Sequence, residues 1–215
     1  MQVSLVITSY NYARYIERAI RSAMDQSLPK NRYEIIVVDD CSTDKTRNIL
    51  ENYRDEIRLV YFDENKGLAA ARNEGIKRAK GMYVVFLDAD DYLQHDLLKI
   101  QSVFLNENNK LDAVSVDYYL VNEIGDHIEL VSAKEKPIAC GVMFRKDRLF
   151  DIGLYDEKFQ AREEEDLRIR FLKKYEVYNI ILPLYRYRRH ADNLTNNAGK
   201  MKEFKKMLKT KHKKK

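Results

Sequence analysis

Glycine and proline are scarce in this chain, seven and three among 215 residues. No repeat or low-complexity stretch breaks it either, which excludes a flexible linker before the C-terminal tail. No apolar run approaches the roughly 20 residues needed to cross a bilayer. The most apolar stretch is only Met82 to Leu87, and the N-terminus has no basic segment leading into an apolar core. The expectation is therefore a chain with no membrane span and no cleaved leader. The two cysteines, Cys41 and Cys140, lie far apart without metal-ligand spacing, and read as reduced thiols of a cytoplasmic protein rather than a disulfide. Neither a G-x-x-x-x-G-K-[ST] loop nor a G-x-G-x-x-G fingerprint occurs, so the two commonest glycine-rich phosphate cradles are absent.

A one-signed charge is also missing from most of the molecule. The net charge of +5 is concentrated in residues 200–215, which hold nine lysines and one glutamate, leaving −3 on residues 1–199. A basic groove that tracks nucleic acid along the fold is not expected. The tail is a separate segment with two readings: a solvated lysine-rich end, or a short helix whose Phe204, Met207 and Leu208 lie on an anionic membrane at its inner face.

What is present is an alternation of β and α signals. Short, β-branched apolar runs occur at 3–8, 33–40, 57–62 and 83–87. Helical patterns separate them, with Ile16, Ala19, Ile20, Ala23 and Met24 on one face, then Ile49, Leu50 and Tyr53, then GLAAARNEGIKRA at 67–79. This β-α-β-α-β-α-β order predicts a parallel, doubly wound α/β sheet over about the first 90 residues. The second half reads as mixed, with strands at 112–121 and 177–185 and a helix at 164–174. At 215 residues one domain is expected over 1–199, its halves meeting near residue 110.

In open α/β sheets, ligands bind where loops leave the carboxyl ends of strands. Three polar clusters fall at such ends: Thr8-Ser9-Tyr10-Asn11, Asp39-Asp40 and Asp88-Ala89-Asp90-Asp91. Thr8, Tyr10 and Asn11 can flank a planar heterocycle. The D-x-D-D string suits a hard divalent cation, Mg²⁺ or Mn²⁺, since close carboxylates repel unless a cation stands beside them. Gly67 opens a helix whose N-terminus suits a diphosphate, with Lys66 and Arg72 nearby. Glu163, Glu164, Glu165 and Asp166 begin another helix, where acidic residues favour the dipole. His190 precedes Asp192-Asn193-Leu194-Thr195 and gains interest only from a nearby metal.

Taken in order, TSYN, VVDDCSTD, NKGLAAARN, FLDADD and REEED resemble the family-2 glycosyltransferases of GT-A fold, over residues 3–195. The resemblance implies an inverting enzyme that moves one sugar from a nucleotide diphosphate donor, UDP above all, to a hydroxyl of a glycan or lipid-linked saccharide, in cell-envelope polysaccharide synthesis. It implies that Thr8 and Tyr10 line the base pocket, Asp39 bonds the base, and Asp88 holds the ribose. It further implies that Asp90 binds Mg²⁺ or Mn²⁺, Arg72 contacts the diphosphate, and the closing segment RYRRHADNLT brings His190 near the metal. The family's acidic pair falls on Glu165 and Asp166, with Asp166 as base and Glu165 one register away. Residues 141–159 resemble its acceptor-side segment. The chain departs in having no Q-x-x-R-W motif, so a single addition rather than processive synthesis is implied. The rival readings are a sugar nucleotidyltransferase, and a non-catalytic module that binds nucleic acid or a membrane surface through the tail.

Overall fold

Alternation of strand and helix builds the first half as expected. Every residue of β1 (Val3–Ser9) is buried, as suits a strand covered on both faces. It feeds α1 (Ile16–Met24), which turns Ile16, Ala19, Ile20 and Ala23 inward at helical spacing. β2 (Tyr33–Asp39), α2 (Thr46–Glu51), β3 (Arg58–Tyr61), α3 (Leu68–Arg78) and β4 (Tyr83–Asp88) follow. Gly75 lets α3 lie against β1, for a Cβ there would stand 2.3 Å from a methyl of Val6. In this computed structural model the described residues are 1–191, 193, 196 and 198–213.

The remaining elements are β5 (Tyr92–Leu93), α4 (Leu97–Glu107), β6 (Ala113–Val121), β7 (His127–Val131), β8 (Val142–Arg145), α5 (Lys146–Asp151), α6 (Glu163–Phe171), β9 (Val177–Arg188) and α7 (Ala198–Lys211). Among the described residues one nine-stranded sheet runs β3-β2-β1-β4-β8-β6-β9-β5, with β7 also paired to β6. β1 to β4 are parallel, β8 runs antiparallel to both β4 and β6, and β9 returns parallel to β6. The mixed second half is thus the same sheet continued.

The tail is not a free end. α7 packs Phe204 and Leu208 with Phe159 and Ala161 into a small second core, with Ile169, Met201 and Met207 beside it. This corrects the reading of residues 200–215 as a solvated or membrane-facing segment: the apolar stripe faces the protein, because hydrophobic burial on Phe159 competes for the same residues. Lys214 and Lys215 lie outside the described residues. Among the described residues no helix is long and apolar enough to cross a membrane.

Candidate active site

β1 has β2 on one side and β4 on the other, so the connections diverge from the β1–β4 seam, and a crevice opens at the carboxyl ends of these strands. A cleft of about 800 Å³ occupies it. Its wall includes Thr8 to Tyr12 at and beyond the end of β1, Asp40 after β2, Asn65 to Leu68 before and into α3, and Asp88 to Asp91 at and beyond the end of β4. The opposite wall is built by Pro137 to Cys140, Gln160 to Glu165, and Lys200 and Met201 of α7.

The loops after β1 and β2 brace each other. Asn11 takes a left-handed backbone, φ 59°, so that its Oδ1 accepts from the Thr43 N–H at 2.7 Å while its own N–H donates to Ser42 Oγ at 2.9 Å. Asp39 is fully buried behind the wall. Its Oδ2 accepts from Arg47 Nε at 2.7 Å and from the Ser42 N–H at 3.1 Å, and its Oδ1 is buried without a partner. Asp40 turns to α3, where its two oxygens accept from the N–H groups of Lys66 and Gly67 at 2.7 and 2.8 Å. Asp40 thus braces the turn that leads into α3, ahead of the helix's own first N–H groups at Leu68 to Ala70. The Lys66 ammonium lies 5.2 Å over the Phe62 ring at the cleft edge.

The three aspartates after β4 are separated by pointing them at different partners. Asp88 accepts from Arg72 Nη2 at 2.8 Å. Asp90 Oδ2 meets His190 Nε2 at 2.8 Å and accepts from Asn193 Nδ2 at 3.2 Å. Asp91 turns inward, where it accepts from the Tyr185 hydroxyl at 2.6 Å and from the Arg188 N–H at 2.7 Å. Burial first, and then the neighbouring carboxylates, push Asp90 and Asp91 above the usual carboxylate range. The same burial, reinforced by Asp90, Asp88 and Asp91, raises the Tyr12 phenol and keeps it neutral in the cleft wall. The His190 ring is seated against Tyr15, with centroids 4.8 Å apart. Asp192, Leu194 and Thr195 of the same segment lie outside the described residues.

Arg72 belongs to the cleft lining, as expected, but is set deep in the wall. It is 1% exposed, and its two terminal nitrogens donate to Glu163 at 2.6 Å and Asp88 at 2.8 Å. Burial opposes its charge, but Asp88 and Glu163 over-compensate and hold the guanidinium protonated. It clamps the β4 end to α6.

The acidic helix start also needs a correction. A helix turns roughly 100° per residue, so four consecutive acids cannot share one direction. Glu163 goes to Arg72, Glu164 and Glu165 line the cleft, and Glu165 is paired with Arg162. Asp166 is fully buried on the far side, bonded to Lys211 at 2.7 Å, His212 at 2.8 Å and Arg170 at 2.8 Å. Burial works against its ionisation, but Lys211, His212 and Arg170 hold it below the ordinary carboxylate range. It faces α7 and cannot take a proton from a molecule in the cleft. Glu164, which the sequence reading passed over, is half-buried in the wall, and burial followed by the charge of Glu163 raises it to about 7. The signal was the spacing, for residues two apart on a helix face away from each other.

Among the described residues no three His, Cys, Asp or Glu form a ready metal site. Asp90 and His190 nevertheless present an oxygen and a nitrogen donor already in contact, and this pair fits a small divalent cation that keeps most of its shell for water and phosphate oxygens.

A family model described as glycosyl transferase family 2 matches residues 4–161. TuaG of Bacillus subtilis, a glycosyltransferase named for teichuronic acid biosynthesis, is 47% identical over 110 residues, 50% of this chain and 43% of the relative. Poly(ribitol-phosphate) β-N-acetylglucosaminyltransferase TarS of Staphylococcus aureus is 37% identical over 112 residues, 51% of this chain and 20% of the relative. The chain thus spans less than half the length of these curated relatives. Among solved structures, residues 1–349 of TarS superimpose with a TM-score of 0.81 at 23% identity, covering 98% of this chain and 65% of that one. The mannosyltransferase PcManGT of Pyrobaculum calidifontis, in complex with GDP-Man and Mn²⁺, gives 0.75 at 20% identity, covering 98% and 63%. These likenesses establish the GT-A type of fold expected from the sequence.

Proposed function

The chain belongs to glycosyl transferase family 2, and on that premise we propose that it transfers one sugar from a UDP-sugar to an acceptor hydroxyl, with inversion at the anomeric carbon. The observation that carries the reading is a single cleft with the β1 and β4 ends on one wall and Glu164, raised to about 7, on the other. The base of the nucleotide would sit between Thr8 and Tyr10, and Asp39, buried behind that wall with an unpartnered Oδ1, would accept from its imide N–H once the wall gives way. Asp88, with Ala89 beside it, would face the ribose. Residues 1–110 would then hold the donor and the later ones the acceptor. UDP is favoured because solved structures of TarS contain UDP and UDP-GlcNAc. The names of TuaG and TarS support an acceptor in envelope polysaccharide synthesis, whether free glycan or lipid-linked.

In this reading Glu164 accepts the proton of the acceptor hydroxyl as its oxygen bonds to the anomeric carbon, and the bond to the diphosphate breaks with its electron pair leaving on the diphosphate oxygen. A group that ionises near 7 is matched to that work at neutral pH. A divalent cation, when bound, would be held by Asp90 and His190 and would offset the charge developing on the diphosphate. Asn193 and Tyr15 keep those two ligands in place, and Arg72 fixes Asp88 relative to α6. Much of the remaining acceleration would come from holding donor and acceptor in one geometry.

Calorimetric titration with UDP, with and without Mn²⁺, tests the donor side. The expected result is tighter binding with Mn²⁺, a gain that Asp90→Ala removes while metal-free affinity persists. Equal affinity with and without the ion would refute this placement of the metal.

A further inference from the structure

α7 has two faces. Phe204 and Leu208 are buried on the body, whereas Lys202, Lys205, Lys206 and Lys209 are exposed. Their spacing of three, one and three residues puts all four within a stripe roughly 100° wide, opposite the buried residues. None of the four has a carboxylate partner among the described residues, so their charge is not used to hold the fold. Lys205 lies one turn beyond Met201 and about 40° from it round the helix, so the stripe meets the cleft lining at Met201, and from Lys202 to Lys209 it extends about 10 Å at 1.5 Å per residue. It is a row of cations that starts at the mouth of the site and leads outward, on a body that carries −3 over residues 1–199.

From this we infer that α7 is a track for a linear polyanionic acceptor, a glycan or polyol chain with phosphate or carboxylate groups along its backbone, whose growing or decorated unit enters the cleft beside Glu164. The inference rests on the transferase reading given above and adds the class of acceptor. Charge complementarity selects an anion, and continuity with the cleft selects a chain that can occupy both places at once. A membrane surface is the weaker match, because the apolar residues that would anchor α7 in a bilayer are buried in the protein.

The test uses the full chain and a variant with Lys202→Gln, Lys205→Gln, Lys206→Gln and Lys209→Gln, exposed positions that hold no part of the cleft. The probes are polygalacturonate for carboxylate, linear polyphosphate for phosphate, neutral dextran, and vesicles of phosphatidylglycerol with phosphatidylcholine. UDP affinity and thermal unfolding are followed in parallel. The inference predicts that at least one polyanion binds, that binding weakens with salt, and that the variant loses tenfold or more while its UDP affinity and unfolding stay unchanged. Hydrogen exchange should slow both in α7 and in residues 160–165 when the polymer is bound, and dextran should do neither. Equal polymer affinity in the two proteins overturns the inference. So does protection confined to α7 and matched by the vesicles, which would mark a membrane contact instead. If UDP binds neither protein while the polymer protects both regions, the donor reading fails and the track stands.

Discussion

Glu164 and Asp166 are two residues apart and do opposite things. Asp166 is held by Arg170 of α6, Lys211 at the end of α7 and His212 just beyond it, while Glu164 faces the cleft and ionises near 7. A carboxyl raised to that value holds its proton below about 7 and acts as a base only above it. Transfer followed as kcat/KM against pH should therefore rise about tenfold per unit up to pH 7 and level off. A profile flat between pH 5 and 8 would remove Glu164 from the role. Arg72 belongs to the same scale. Arg72→Met strands Asp88 and Glu163 as buried or half-buried charges, and should lower stability to urea by about 3–5 kcal/mol; a change under 1 kcal/mol would show that the clamp is not structural. The sequence exposed all four acids of the helix start but not their directions. Those are set by Arg72, 91 residues away from Glu163, and by Lys211 and His212 on an element whose docking no local pattern announces.

Among the elements, the four parallel strands and the first three helices were legible because each carries its own periodicity and turn chemistry. The short strands β5, β7 and β8 and helices α4 and α5 were not. The three strands have two to five residues each, too few to show a period, and β8 is held by neighbours on both sides rather than by its own pattern. α7 shows the harder case. KMKEFKKMLKTK reads equally as a solvated end or a surface helix until Phe159 supplies the partner for Phe204, with ring centroids 6.1 Å apart. Phe204→Ala should accordingly destabilise the protein by about 3 kcal/mol in urea unfolding, through the lost apolar contact and the cavity left behind. Removing residues 200–215 should do more, since it also strips Asp166 of Lys211 and His212. A truncated chain that unfolds like the full one would place α7 outside the fold.

At the scale of the whole molecule, the sheet holds one wall of the cleft on its parallel half, and α6 and α7 close the other. The polar clusters that the sequence places on strand ends do converge, because parallel strands share one carboxyl rim. What the sequence could not show is how the opposite wall meets them, since it is assembled from residues 137–140, 160–165 and 200–201, which lie far apart along the chain. That meeting of donor rim and acidic helix is the central claim, and acceptor-stimulated UDP release from UDP-sugars in the presence of Mn²⁺ tests it most directly. The account predicts release by the wild type, a fall in turnover of about 10²–10⁴ in Glu164→Gln with UDP affinity retained, and a far smaller effect in folded Asp166→Asn. Undiminished turnover in Glu164→Gln, together with loss of turnover in a folded Asp166→Asn, would contradict it.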